Sequence, residues 1–245
     1  MGITGAAELL ATWEAGLAEA PTGRALLLHR TARPDVDTAT LPVLPVGERE
    51  ADLFALRRAL FGERMQVRLA CTACGEDMEF DLDAGEFARS LGGPNVEREP
   101  LLRVEQEGWD VEFRLPGVAD LTAAARAADP RAALLARCLV SAARDGVAVA
   151  AGDLPVPVQR RIAEAVEAAD PGADVTLNVA CPDCGEATRA ELDIASYLWT
   201  ELDAWARDLL LDVHLLATSY GWGEPEILAL SPLRRRYYLE LCADV

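Results

Sequence analysis

Lysine is absent from this chain: all 23 basic residues are arginine. That excludes every mechanism needing a lysine amine, whether a Schiff base, a P-loop lysine or a lysine general base. Histidine is nearly absent, with only His29 and His214, so a Ser-His-Asp triad or a histidine-rich metal site would have to be built on one of the two. His29 closes an apolar helical run and reads as a capping or surface residue. His214 follows Asp212 by two positions, about 200° around a helix, so the pair cannot share a ligand. No GxGxxG or GxxxxGK run occurs, which removes the glycine-rich phosphate cradles. Hydrophobic runs fall short of the ~20 residues that span a bilayer. Met1-Gly2-Ile3-Thr4-Gly5 lacks the profile of a signal peptide. A cytoplasmic protein without membrane insertion is expected, and no catalytic residue or small-molecule substrate is indicated. Basic charge is also scarce, 23 residues against 41 acidic ones for a net charge of −18. Since cations neutralising phosphates dominate nucleic-acid affinity, no nucleic-acid partner is expected.

What is present suffices for a core, with 51% of the 245 residues hydrophobic. The chain is organised around two short cysteine turns. Cys71-Thr72-Ala73-Cys74-Gly75 and Cys181-Pro182-Asp183-Cys184-Gly185 have one pattern. Each follows a strand-like run, Gln66–Ala70 or Val175–Ala180. Each leads into alternating residues ending in Asp81-Leu82-Asp83 or Glu191-Leu192-Asp193. A CxxCG turn aims two thiolates at one point, and its glycine takes the positive φ that ends the turn. One turn supplies two ligands, and a structural Zn²⁺ needs four. Cys71, Cys74, Cys181 and Cys184 are therefore the expected ligands of a closed, structural Zn²⁺ site. A lone CxxC could equally be a redox dithiol; two matched copies favour a zinc ribbon. Its halves are far apart, with 106 residues between Cys74 and Cys181.

The expected fold class is α+β, mostly helical, with a central zinc-ribbon-like pair of β-hairpins carrying the four cysteines and a helical C-terminal segment. Residues 1–62 read as an N-terminal helical segment, with helices over 6–19, from Thr22 through Leu28, and over Glu48–Phe61. Pro34, Pro42 and Pro45 mark an extended loop before the third. Residues 63–193 read as the split ribbon (63–84 and 173–193), with an inserted β-hairpin and helical segment at about 85–172. In the insertion, Leu101–Gln106 and Asp110–Leu115 form a hairpin about Glu107-Gly108. Asp120 is the expected N-cap of a helix through Ala128. Asp129-Pro130 opens a helix carrying Leu134, Leu135, Cys138 and Leu139, and Gln159–Ala169 is another. Residues 145–157 read as a loop. The last segment, 194–245, completes what is expected to be one compact unit. Its apolar positions Ile194, Leu198, Leu202, Trp205, Leu209, Val213, Leu216 and Tyr220 step at helical spacing, predicting one long helix stopped at Gly221. Ser231-Pro232 begins a final helix.

With these residues laid out, the chain resembles the baseplate hub assembly proteins of contractile-tailed bacteriophages, also encoded in phage-tail-like contractile injection systems. The resemblance rests on Cys181–Gly185, on Asp193-Ile194 with Leu198-Trp199-Thr200-Glu201, on Val213–Ala217, on Tyr220-Gly221-Trp222, and on Glu226–Ser231 with Arg234–Leu239. Weaker echoes are Arg114-Leu115-Pro116 with Asp120-Leu121, Trp13-Glu14 and Arg24–Leu26. It implies a non-enzymatic baseplate assembly or docking protein, chaperone-like or structural, whose partners are hub, spike or wedge proteins of a contractile apparatus. Tyr, Trp and Arg are enriched at interface hot spots, so Trp222, Arg235, Arg236, Tyr237 and Tyr238 are the expected partner-binding residues. The alternative is a zinc-ribbon adaptor of a transcription or other multi-subunit complex, against which the acidity counts.

Overall fold

A computed structural model describes residues 5–90 and 101–243. The chain divides into two compact units, one of residues 1–31 and 195–245, the other of residues 32–194. The two terminal helical segments thus share a unit, and residues 32–62 join the ribbon.

The helical unit begins with α1 (Ala6–Leu17) and α2 (Pro21–Ala32). Pro21 is the first residue of α2, where its missing N–H costs nothing. Gly16 is required by packing, since a Cβ there would overlap the Trp199 ring. Arg24 covers the same ring at 4.7 Å and donates from Nε to the Gly16 carbonyl at 3.0 Å. Trp13 donates from its indole to Asp203 at 2.9 Å. His29 is 1% exposed, so the surface position expected for it is wrong; it faces inward with the apolar residues of its helix.

The other unit opens with a turn of 3₁₀ helix at Leu41–Val43 and then α3 (Val46–Phe61), ended by Gly62 at φ +83°. Arg57 is buried because its guanidinium caps two carbonyls, Gly62 and Arg64, both at 2.6 Å. Next come β1 (Arg64–Ala70), β2 (Asp77–Asp83) and α4 (Ala84–Ser90). The insertion supplies β3 (Leu102–Gln106), β4 (Trp109–Phe113), α5 (Val118–Ala125), α6 (Pro130–Cys138), β5 (Leu139–Arg144), β6 (Val147–Ala148) and α7 (Val156–Ala169). β3 to β6 form an antiparallel meander. Its buried face (Val104, Trp109, Val111, Phe113, Ala142) packs with Leu154, Val158 and Ile162, the last two on α7.

Three expectations change here. Leu139 does not continue α6 but begins β5, opposite Phe113. The loop at 145–157 contains a tight hairpin turn, Asp145-Gly146 at φ +49° and +82°, matching Glu107-Gly108 at +48° and +82°. Asp120 is not an N-cap. It lies three residues after the cap, Gly117, and accepts the Gly117 N–H at 3.0 Å. It also anchors Arg114 through two bonds of 2.6 and 2.9 Å and Arg137 at 2.9 Å. Burial opposes its charge, but these donors outweigh it and hold the carboxyl below the usual range.

The chain returns through β7 (Thr176–Ala180) and β8 (Ala187–Glu191) to α8, Ile194–Tyr220, the long helix expected from its periodicity. Leu198, Leu202, Leu209 and Leu216 are buried along it. α9 (Glu224–Leu228) and α10 (Pro232–Ala243) complete the helical unit.

Candidate metal centre

Each half of the centre is one hairpin. β1 pairs with β2 from Arg64·Asp83 to Ala70·Asp77, and β7 with β8 from Thr176·Glu191 to Ala180·Ala187. The tip of each is a knuckle in which the first cysteine is held twice. Cys71 N–H donates to the Glu76 carbonyl at 2.8 Å and its carbonyl accepts from Gly75 at 2.9 Å. Cys181 makes the same bonds to Glu186 and Gly185, at 2.8 and 2.9 Å. Gly75 and Gly185 sit at φ +77° and +76°, where a Cβ would be strained. Each CxxCG sequence thus forms a turn whose two sulfurs share one side.

The knuckles meet. Cys71 Sγ lies 3.7 Å from Cys184 Sγ, and Cys74 Sγ lies 3.7 Å from Cys181 Sγ. All four ligand atoms fall within 4.8 Å of one another. A disulfide needs about 2.05 Å, so these are not bridges. Four sulfurs at ~2.3 Å from one ion would be spaced by ~3.8 Å in a regular tetrahedron. The donor set therefore fits a thiophilic divalent cation, with no place for a fifth ligand. Cys71 and Cys181 are buried, while Cys74 and Cys184 face outward. Met78, Leu69 and Val179 pack against the buried pair.

The electrostatics agree. The N–H groups of Cys74 and Ala73, with the Thr188 hydroxyl, pull the Cys71 thiol down to about 6. The Glu76 N–H favours a Cys74 thiolate, but the adjacent Cys71 and Cys184 sulfurs oppose it more and push it up to about 12. Cys184 is likewise raised: the Glu186 N–H and the Cys74 side chain favour its thiolate, and burial with the Cys71 and Cys181 sulfurs outweighs them. Crowded thiolates repel, and a bound cation is what lets all four ionise.

Thr188 went unremarked in the sequence. It is 2% exposed, its hydroxyl accepts the Thr72 N–H at 3.3 Å, and it bonds the Cys71 sulfur. It thereby ties the β7–β8 hairpin to the opposite knuckle. Among the described residues, the four cysteines are the one cluster of metal-ligating side chains.

The family model described as T4 bacteriophage base plate protein matches residues 26–196. The chain belongs to that family. No curated protein and no solved structure matches it. The family match takes in the whole centre, both hairpins and the meander between them. It ends at the first turn of α8, so most of the C-terminal residues that carried the resemblance lie beyond the matched stretch. No helix among the described residues is long and apolar enough to cross a membrane.

The residues expected at a partner surface do not share one face. Trp222 stacks on Tyr220 at 4.7 Å and meets Tyr238 edge-on at 4.9 Å. Cys242 bonds the Tyr220 hydroxyl, raising that phenol. Arg235 is 8% exposed, and its Nε donates to Asp212 on α8 at 3.1 Å. Arg236 and Tyr237 face outward, Arg236 paired with Glu240 at 3.0 Å and Tyr237 61% exposed. Trp222, Arg235 and Tyr238 thus help fasten α10, Trp222 and Tyr238 being half-buried, while Arg236 and Tyr237 are exposed.

Proposed function

We propose that this base plate family member is a non-enzymatic assembly or docking component of a contractile, phage-tail-like apparatus, stapled by a structural Zn²⁺ on Cys71, Cys74, Cys181 and Cys184. The observation that carries the reading is the convergence of two knuckles, 106 residues apart in sequence, on one tetrahedral volume in a chain of this family. A closed Cys₄ site leaves no open position for water or substrate, so its role is to hold the fold. Zinc is favoured among thiophilic metals because all four ligands are cysteines on matched turns in tetrahedral array. The partners are hub, spike or wedge proteins of the same apparatus, met in the cytoplasm during its construction. They are contacted through the C-terminal helical end, where Arg236 and Tyr237 face outward. A net charge of −18 weighs against the nucleic-acid-linked adaptor reading.

The test is a metal assay joined to a binding assay. Protein purified without chelator should carry one equivalent of zinc, and it should bind at least one purified hub, spike or wedge protein of its own apparatus. Metal-free protein that is equally stable would overturn the staple. Binding to none of those proteins, tested as zinc-loaded full-length chain, would overturn the assembly role.

A further inference from the structure

Two unpartnered surfaces of this molecule are complementary. The first is on α10. At about 100° per residue, Leu233, Tyr237 and Leu241 share one stripe, and they are 64%, 61% and 57% exposed. The inward side of α10 is accounted for by Arg235 and by Tyr238 in the aromatic cluster. Arg234 and Arg236 flank the stripe, and Arg234 makes no ion pair among the described residues. Apolar anchors at i, i+4 and i+8 on one helix are how a helix enters a groove.

The second surface is in the ribbon-containing unit, between α6 and α7. A cavity of about 540 Å³ is lined by Leu134, Leu135, Leu139, Ile162, Ala163 and Val166. Glu167, Asp174 and Arg131, all exposed, also line it. The groove is lined mostly by apolar side chains with two exposed carboxylates against one guanidinium, while the stripe is apolar with arginines beside it.

We infer that α10 of one copy of this chain seats in the groove of another, Leu233, Tyr237 and Leu241 entering the cavity and Arg234 and Arg236 meeting Glu167 and Asp174. Because the two faces differ, the contact is heterologous: each copy offers one stripe and one groove, and copies join head to tail. The inference rests on the C-terminal end being a contact surface, but not on which baseplate protein the family member serves. Another baseplate component in the groove, or a symmetric pairing of two α10 helices, are the competing outcomes.

The experiment uses full-length zinc-loaded protein and sedimentation across the micromolar range. Wild type should self-associate. Tyr237→Glu destroys the stripe and Ala163→Trp fills the groove; both positions are exposed, so each variant should keep its zinc and its circular dichroism. Each alone should be monomeric. Mixed together, they should form a one-to-one dimer that grows no further, since one keeps an intact groove and the other an intact stripe. A symmetric α10 pair would be indifferent to Ala163→Trp, and that result overturns the proposal. So does a wild-type monomer throughout, self-association that survives both substitutions, or a mixture that stays monomeric. Ala163→Trp lies on α7, away from the C-terminal end, so its loss of self-association with hub, spike or wedge binding intact would support the contact between copies, whereas wild-type protein that self-associates but binds none of those proteins would overturn the assembly reading alone.

Discussion

The two halves of the four-cysteine cluster are the same backbone written with different side chains. Adding 110 to a residue number carries one onto the other: β1–β2 onto β7–β8, Cys71 and Cys74 onto Cys181 and Cys184, and the first residue of α4, Ala84, onto the first residue of α8, Ile194. Both are fully buried. The knuckle hydrogen bonds agree residue for residue, and the glycine φ values agree within a degree. Where the halves part, they part together. Thr72 in one knuckle becomes Pro182 in the other, and Thr188 in one hairpin corresponds to Met78 in the other. Thr72 has an N–H that needs an acceptor, and Thr188 of the opposite hairpin provides it. Pro182 has no N–H, and the corresponding partner position is an apolar Met78, 4% exposed. The backbone dictates the ligands, and the donor inventory at the second knuckle position decides what faces it.

The largest break should come from either half alone. A cross-link closing a loop of about a hundred residues is worth roughly 4–5 kcal/mol in chain entropy, and metal binding energy is folding energy when the unfolded chain has no site. Cys71→Ser and Cys181→Ser, the buried ligands, should each abolish stoichiometric zinc and lower stability by at least ~4 kcal/mol in urea unfolding. Comparable losses from both would mean that neither half holds the metal alone. A stable zinc-free variant would show that the hairpins stay together by packing. Acid should act the same way on both halves. Thiolates bind the metal and thiols do not, so zinc should leave as pH falls and protons compete for the four sulfurs. Zinc retention against pH, read with a chromogenic chelator, checks the sign; release on raising pH would contradict it.

Next in size is the apolar half of the asymmetry. Met78 packs with Cys71 and Cys181 in the small cluster under the sulfurs. Met78→Thr removes buried methylenes and places a hydroxyl where no N–H faces it, for a cost of about 2–3 kcal/mol. Thr188→Val, nearly isosteric, should cost less, about 1 kcal/mol, because Thr72 is exposed and water can reach part of its amide. If Thr188→Val proves the more damaging, the hydroxyl's bond to the Cys71 sulfur matters more than its bond to the Thr72 amide. Zinc affinity of that variant would then fall alongside its stability.

How much of this could be read beforehand follows the range of the interactions. The knuckles are legible because ligand spacing, glycine and flanking strands all lie within about twenty residues. α8 was legible because its period is sustained over 27 residues. The hairpin at Glu107-Gly108 is legible from the alternating strands on both sides of it, whereas its counterpart at Asp145-Gly146 is followed by a strand of only two residues, Val147–Ala148, too short to carry a pattern. The apolar run from Leu134 to Leu139 reads as unbroken helix, and only pairing with Phe113 turns Leu139 into a strand. Asp120 reads as a helix start from local grammar, whereas its two arginine partners are fixed by tertiary structure. Arg235 reads as surface until Asp212, 23 positions earlier, is brought beside it. The family signal shows the same division. The matched stretch, 26–196, is where the ribbon lies, while the aromatic and arginine-rich tail that suggested the family falls largely outside it.

The smallest expected effect is also the sharpest test of the two-halves comparison, because it asks whether the asymmetry is one decision or two. If Thr72 and Thr188 are coupled as donor and acceptor, changing one without the other should cost, and changing both to the other half's pair should not. Thr72→Pro alone copies Pro182, and the second knuckle, with the same backbone hydrogen bonds, already accommodates proline there; the change gains up to about 1 kcal/mol from a less flexible unfolded chain. It also strips the buried Thr188 hydroxyl of its donor, which offsets that gain. Thr188→Met alone leaves the Thr72 amide without its acceptor and crowds the centre, for about 1–2 kcal/mol. The double variant recreates in the first knuckle what the second already has. The coupling in a double-mutant cycle should be favourable by about 0.5–1 kcal/mol, read from urea midpoints at fixed zinc. Strict additivity would mean that Pro182 and Met78 are independent choices and that the hydrogen bond between Thr72 and Thr188 contributes nothing to the fold.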